Sequence, residues 1–190
     1  MTARDSVEGD ERIRLFLALE VPDEIAATVA EWGHEHLPVG RRVDTLHVTL
    51  AFLGGQPHSR LAGILDVLWR GAAATEPFVL EPLRYRETRS VGMLVLDDRS
   101  GRAKSLAERV QSDLEDLGVY ERERRRWLPH FTVLRFRQRP RLAPPLPAIG
   151  AFAPSGAAAF LSRLHPTGAR YEVLESYALG VTEEDLEAGG

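Results

Sequence analysis

Two short apolar runs far apart in the chain open the same way: His47-Val48-Thr49-Leu50 and His130-Phe131-Thr132-Val133. Each is a histidine with a threonine two places on and apolar residues between and after. That alternation suits a half-buried strand. Each is also preceded by a strand-like run and an amphipathic stretch. The chain therefore reads as a loose internal repeat of one strand–helix–strand plan, two copies rather than a solenoid. Strands are expected over residues 13–20, 46–53 (closed by Gly54-Gly55), 78–86, 91–96, 130–137, 158–164 and 171–179. Helical spacing predicts one helix from Pro22-Asp23-Glu24 to Gly33. A second, capped by Ser59, presents Leu61, Ile64, Leu65, Leu68 and Trp69, and a third runs through Leu106, Val110 and Leu114 to Gly118. Pro140 to Pro147 reads as a loop and Pro166-Thr167-Gly168 as a turn. Helices alternate with strands whose connections allow antiparallel pairing, so the expected class is α+β.

With 190 residues and 44% hydrophobic composition, the chain can bury a proper core in one domain or two lobes sharing one. It contains no cysteine, which excludes a disulfide framework, thiolate metal sites and a cysteine nucleophile. No apolar run is long enough to span a bilayer and the first twelve residues are polar, so a soluble cytoplasmic protein is expected. The net charge is −4, but the acids crowd the ends. Asp5, Glu8, Asp10 and Glu11 outweigh Arg4 and Arg12, and Glu183, Glu184, Asp185 and Glu187 close the chain, leaving a mildly basic body. Residues 1–12 and 181–190 read as acidic tails around a single domain over residues 13–180. Of the 24 basic residues only Lys104 is lysine, a bias that reads as genomic composition.

In a strand, residues i and i+2 share a face, so each motif sets an imidazole beside a hydroxyl and turns its apolar residues the other way. An imidazole moves protons near neutral pH, and a threonine hydroxyl donates to a phosphate oxygen. Two such pairs meeting across a cleft supply an acid, a base and two oxygen ligands. A single His-x-Thr in a strand is commonly a half-buried polar pair without function. Its duplication at equivalent places in two half-chains favours chemistry.

With those motifs in place, the chain resembles the 2H phosphoesterase superfamily, in its bacterial and archaeal RNA 2′,3′-cyclic phosphodiesterase (2′-5′ RNA ligase) branch. The resemblance rests on the run from Arg14 to Leu19, the segments from Leu46 to Gly54 and from Pro129 to Arg135, and Ser162-Arg163-Leu164 through Gly168 to Tyr171. It implies a bilobal α+β fold, two pseudo-symmetric lobes of antiparallel sheet with flanking helices around a central cleft. It also implies metal-independent opening of RNA 2′,3′-cyclic phosphate ends to 2′-phosphomonoesters, with no cofactor. By the same resemblance His47 is the proton donor, His130 the proton acceptor, and Thr49 and Thr132 hold the phosphate. Arg135 matches a frequent phosphate-binding arginine, but strand parity sets it opposite His130 unless the strand ends or bulges near Leu134. Ala51 stands where relatives often carry a basic residue. The partner implied is RNA or an oligonucleotide with a cyclic phosphate end, bound by a monomer, with no membrane or obligate protein partner. Alternatives are 2′-5′ ligation, a 2H phosphodiesterase on another cyclic nucleotide, and a non-catalytic RNA- or nucleotide-binding module.

Secondary candidates read more plainly. Eight arginines between Arg122 and Arg141, with only Glu123 against them, bracket His130 and suggest RNA contact. His34-Glu35-His36 resembles a small metal pair but suits a surface helix end, and Asp44 reads as a turn residue before its strand. His58 and His165 sit beside prolines in loops. Trp127 reads as packing rather than base stacking, Trp32 and Trp69 as core, and Tyr171 as a candidate for the cleft wall.

Overall fold

A computed structural model of the chain describes residues 11–43, 45–165 and 168–181. Nearly all of both proposed tails, Asp44, and Pro166-Thr167 of the last turn lie outside the described residues. The element order is β1 (Arg12–Glu20), α1 (Asp23–His36), β2 (Arg41–Arg42), β3 (His47–Pro57), α2 (Leu61–Ala73), β4 (Glu81–Glu87), β5 (Val91–Asp97), α3 (Arg102–Asp116), β6 (His130–Arg135), β7 (Gly156–His165) and β8 (Gly168–Tyr177).

The strands form two antiparallel four-stranded sheets, ordered β3-β1-β7-β8 and β2-β6-β5-β4. The internal repeat is visible in them. β1 followed by α1 pairs with β3, just as β5 followed by α3 pairs with β6. The fold is the α+β arrangement the alternation of elements predicts.

One core joins the two sheets. Leu15, Leu17 and Leu19 on one face of β1 pack in a single cluster with Val29 and Trp32 of α1, Ile64 and Leu68 of α2, and Leu106 and Val110 of α3. The same cluster takes in Leu94 of β5 and Phe131 of β6. The other face of β1 carries Phe16 and Ala18, which meet Ala158 and Phe160 of β7 in a separate small cluster. β1 is thus buried on both faces, which is why it reads as a continuous apolar run rather than an alternating one.

Several boundaries differ from the sequence reading, each for a local reason. The glycines do not close β3. Gly54 takes φ +65° opposite Leu15 and the strand continues through a bulge to Pro57. α1 runs past Gly33, which is buried within the helix, to His36, and it stops at Leu37, where the following Pro38 disfavours helical geometry. Ser59 lies within a 3-10 turn, His58–Arg60, and Arg60 is the residue that precedes α2. β4 begins at Glu81 rather than residue 78, since Leu80 leaves the sheet to bridge with Phe152. Sequence patterning gave no sign of the two-residue β2, which is apparent only from its pairing with β6.

Candidate active site

Two β-bulges, one per sheet, build the site. Along β3, Thr49 pairs with Ala18 and Ala51 with Leu17, so Leu50 is an extra residue. Leu50 and Ala51 are both buried, and the alternation restarts with Phe52, half exposed at 50%. Along β6, Thr132 pairs with Met93 and Leu134 with Gly92, so Val133 is the extra residue. Val133 and Leu134 are both buried, and Arg135 emerges exposed. Each bulge returns the residue five places after the histidine to the histidine's own face. Arg135 therefore shares a face with His130 and Thr132, and Phe52 holds the equivalent place after His47 and Thr49. The basic residue whose absence Ala51 suggested would have been buried; Phe52 takes the cleft-facing place.

The bulges leave no carbonyl stranded. Gln111 of α3, itself buried, donates its Nε2–H to the Leu50 carbonyl at 2.8 Å. The Val43 amide donates to the Val133 carbonyl at 3.1 Å. The rest of the β3 edge is covered by side chains. Trp127 Nε1 donates to the Thr49 carbonyl at 2.8 Å, and Gln56 Nε2 to that of Leu53 at 2.8 Å. Trp127 is thus a tie between the loop before β6 and the other sheet, in line with its reading as a packing residue.

The two histidines sit in unlike surroundings. The His47 ring centroid lies 4.7 Å from that of Phe16, 5.9 Å from that of Phe160, and 5.5 Å from that of Tyr171, which stands perpendicular to it. Its Nδ1 is buried, and the Thr45 backbone is the hydrogen-bonding group that acts on the ring. Burial in this apolar bed pushes its pKa from 6.5 down to about 4. The Thr45 backbone opposes the shift, and positive charge on His130 and Arg135 adds to it. β3 and β6 pack against each other across the two sheets, which sets the two motifs on neighbouring strands. His130 is half-buried and its Nδ1 lies 2.8 Å from the Leu128 carbonyl. A carbonyl only accepts, so Nδ1 carries the proton, and in the neutral ring Nε2 is left as a free base.

Beside the histidines opens a cavity of about 470 Å³, lined by Arg14, Phe52, Ser162 and Tyr171 from one sheet and by Arg41, Thr45 and Arg135 from the other side. Arg14 follows from the alternation of β1, which sets it on the Phe16 face. Nothing in the sequence pattern marks Arg41. Its partner across the ladder is Arg135, held close by a turn in which Gly40 takes φ +87° and a Cβ would stand 2.8 Å from the Arg135 carbonyl. Within the basic stretch, Arg122, Arg125 and Arg139 pair with Glu115, Glu123 and Glu87, and Arg135 is the member that lines the cavity. His36 pairs loosely with its neighbour Glu35 at 3.7 Å, and among the described residues no group of three or more His, Asp or Glu is placed to hold a metal ion.

The model of the 2′-5′ RNA ligase superfamily matches residues 21–165, most of the chain and both histidine motifs. The chain belongs to this superfamily, that of the 2H phosphoesterases. The solved structures agree. TT0787 of Thermus thermophilus superposes with TM-score 0.76 at 27% identity, covering 88% of this chain and 98% of that one. E. coli LigT complexed with 3′-AMP gives 0.76 at 26%, covering 89% and 99%. LigT complexed with NADP+ gives 0.76 at 26%, covering 90% and 100%. Among curated proteins no sequence match is significant. The superfamily is one of phosphoesterase and RNA-ligase-like enzymes, and no helix among the described residues is long and apolar enough to cross a membrane.

Proposed function

We propose that this member of the superfamily hydrolyses RNA 2′,3′-cyclic phosphate ends to 2′-phosphomonoesters, with His130 as general base and His47 as general acid. The observation that carries the reading is the pair of equivalent His-x-Thr faces on β3 and β6, strands of different sheets that pack against each other. Water attacks phosphorus and gives its proton to Nε2 of His130, whose Nδ1–H is anchored on Leu128. The phosphorus–O3′ bond breaks on the opposite side, and a proton from His47 goes to O3′. Thr49, Thr132 and Arg135 hold the non-bridging oxygens as charge builds on them.

His47 is neutral at pH 7 in the ligand-free protein, so its acid role requires a proton gained with the substrate. The anionic diester supplies the reason, because a negative charge beside the ring favours its charged form. The 3′-AMP complexed with LigT is a ribonucleotide with phosphate on the reacting edge of the sugar, which suits the same reading. The reading takes the chain to act as a monomer, and a cysteine-free enzyme acting on RNA suits the cytoplasm.

Incubation with a 2′,3′-cyclic nucleotide and a cyclic-phosphate oligonucleotide in excess EDTA tests this directly. Turnover to the 2′-phosphate is expected, with H47A and H130A each losing about 10²–10⁴-fold. A protein that binds both compounds without turning over either is a binding module, and activity abolished by EDTA overturns the metal-free mechanism.

A further inference from the structure

The cavity beside the histidines holds more positive charge than one phosphate requires. Resting on the reading above, we infer that Arg14 and Arg41 form a second anion subsite for the phosphodiester that joins the terminal nucleotide to the rest of an RNA chain.

Three observations support this. Arg14, Arg41 and Arg135 form no ion pair with any described carboxylate, and no described aspartate or glutamate lines the cavity, whereas Arg70, Arg99, Arg102, Arg122 and Arg139 elsewhere each hold one. Arg41 and Arg135 stand directly opposite each other on the β2–β6 ladder, a like-charge placement that costs stability unless an anion lies between them. Arg14 sits 5.0 Å above the ring of Phe52, an exposed aromatic on the cleft face. Such a stacked guanidinium keeps its N–H fork free for phosphate.

The subsite adjoins the reacting centre without being part of it. Neither histidine nor Thr49 nor Thr132 lines it, and Arg135 and Tyr171 connect it to them. A diester monoanion at the histidines uses two hydroxyls and Arg135, which leaves Arg14 and Arg41 facing space of nucleotide dimensions. The protein is therefore built to prefer an oligonucleotide end over a free cyclic mononucleotide.

Equilibrium binding tests this without requiring turnover. The probes are 2′-AMP and a dinucleotide with the same terminal 2′-phosphate, titrated against the wild type, R14Q/R41Q and R135Q at two salt concentrations. Both Arg14 and Arg41 are exposed, so the double variant should fold, with an unfolding midpoint at or above that of the wild type because the Arg41–Arg135 repulsion is relieved. The wild type is expected to bind the dinucleotide about tenfold more tightly, and R14Q/R41Q to remove that preference while holding 2′-AMP affinity within about twofold. R135Q should weaken both probes. Equal wild-type affinities, or a preference that survives R14Q/R41Q, overturn the subsite. Missing turnover of cyclic substrates with the preference intact overturns the hydrolase reading alone, and failure of both probes to bind overturns both.

Discussion

Replacing His47 by phenylalanine puts a ring that cannot take a proton into the bed formed by Phe16, Phe160 and Tyr171. In the wild type the pKa falls from 6.5 in the unfolded chain to about 4 in the fold. Between those values the unfolded state binds more protons than the native one, so this group makes stability rise with pH across the window and fall as the solution is acidified. Integrating the two titrations gives about 2–3 kcal/mol of stability lost between pH 7 and pH 4.5 through this one side chain. Urea unfolding of the wild type and His47→Phe at half-unit steps from pH 7.5 to 4.5 reads that loss as the difference between their slopes. Titrating the ring protons by NMR, with the His47 resonance assigned by its disappearance in the variant, should give a midpoint near 4. Adding 2′-AMP should move that midpoint upward, since the anion favours the protonated ring. Parallel stability profiles, or a midpoint near 6.5 in the free protein, would refute the claim that His47 is held neutral by burial.

Other substitutions probe the parts that place the site. Gln111→Leu strands the buried Leu50 carbonyl and should cost about 1–3 kcal/mol in urea unfolding while lowering turnover, because the bulge it supports aims Phe52. Glu87 is buried and accepts hydrogen bonds from the Leu142 and Arg141 amides, Arg139 and Tyr85. Burial alone would raise its pKa, but these bonds overcome that and hold it below 4.5. Glu87→Ala should therefore destabilise the fold by about 2–4 kcal/mol at pH 7, and the gap to wild type should shrink as pH falls through the native pKa. Gly40→Ala meets both a positive φ and the Arg135 carbonyl, so a loss of at least about 1 kcal/mol is expected, with weaker phosphate binding as β2 shifts.

Most of the fold is legible because its elements are locally consistent. Leu61 to Trp69 and Leu106 to Leu114 repeat at helical spacing; α3 buries Leu106, Val110 and Leu114, and α2 buries Ile64 and Leu68. Trp69, read as core, stays only half-buried near the end of α2 and outside the core cluster. The β1 segment reads as a strand buried on both faces and is one. What escaped reading depends on tertiary neighbours. β2 exists because two residues after Gly40 happen to reach the β6 edge. Gly33 is buried within α1 rather than at its end, so a helix that glycine should weaken continues to His36. Ser59 has the right chemistry for a cap, yet the 3-10 turn puts the helix start at the next residue but one.

The candidate site divides along the same line. The two histidines and two threonines follow from period-two alternation, which needs only the sequence. Phe52 and Arg135 do not, because alternation alone assigns both to the buried face and one inserted residue per strand reverses the assignment. No apolar pattern could announce those insertions: Leu50-Ala51 and Val133-Leu134 are ordinary core residues whichever way they point. The signal lies in distant partners that accept the consequences, the Gln111 amide on the Leu50 carbonyl and the Val43 amide on that of Val133. Since the two insertions fall at equivalent places in the repeat, one geometric device serves both lobes. It gives one lobe an aromatic wall and the other an exposed guanidinium. A cleft built from two similar halves thereby acquires two different sides, the asymmetry that a nucleotide with a base at one end and a phosphate at the other requires.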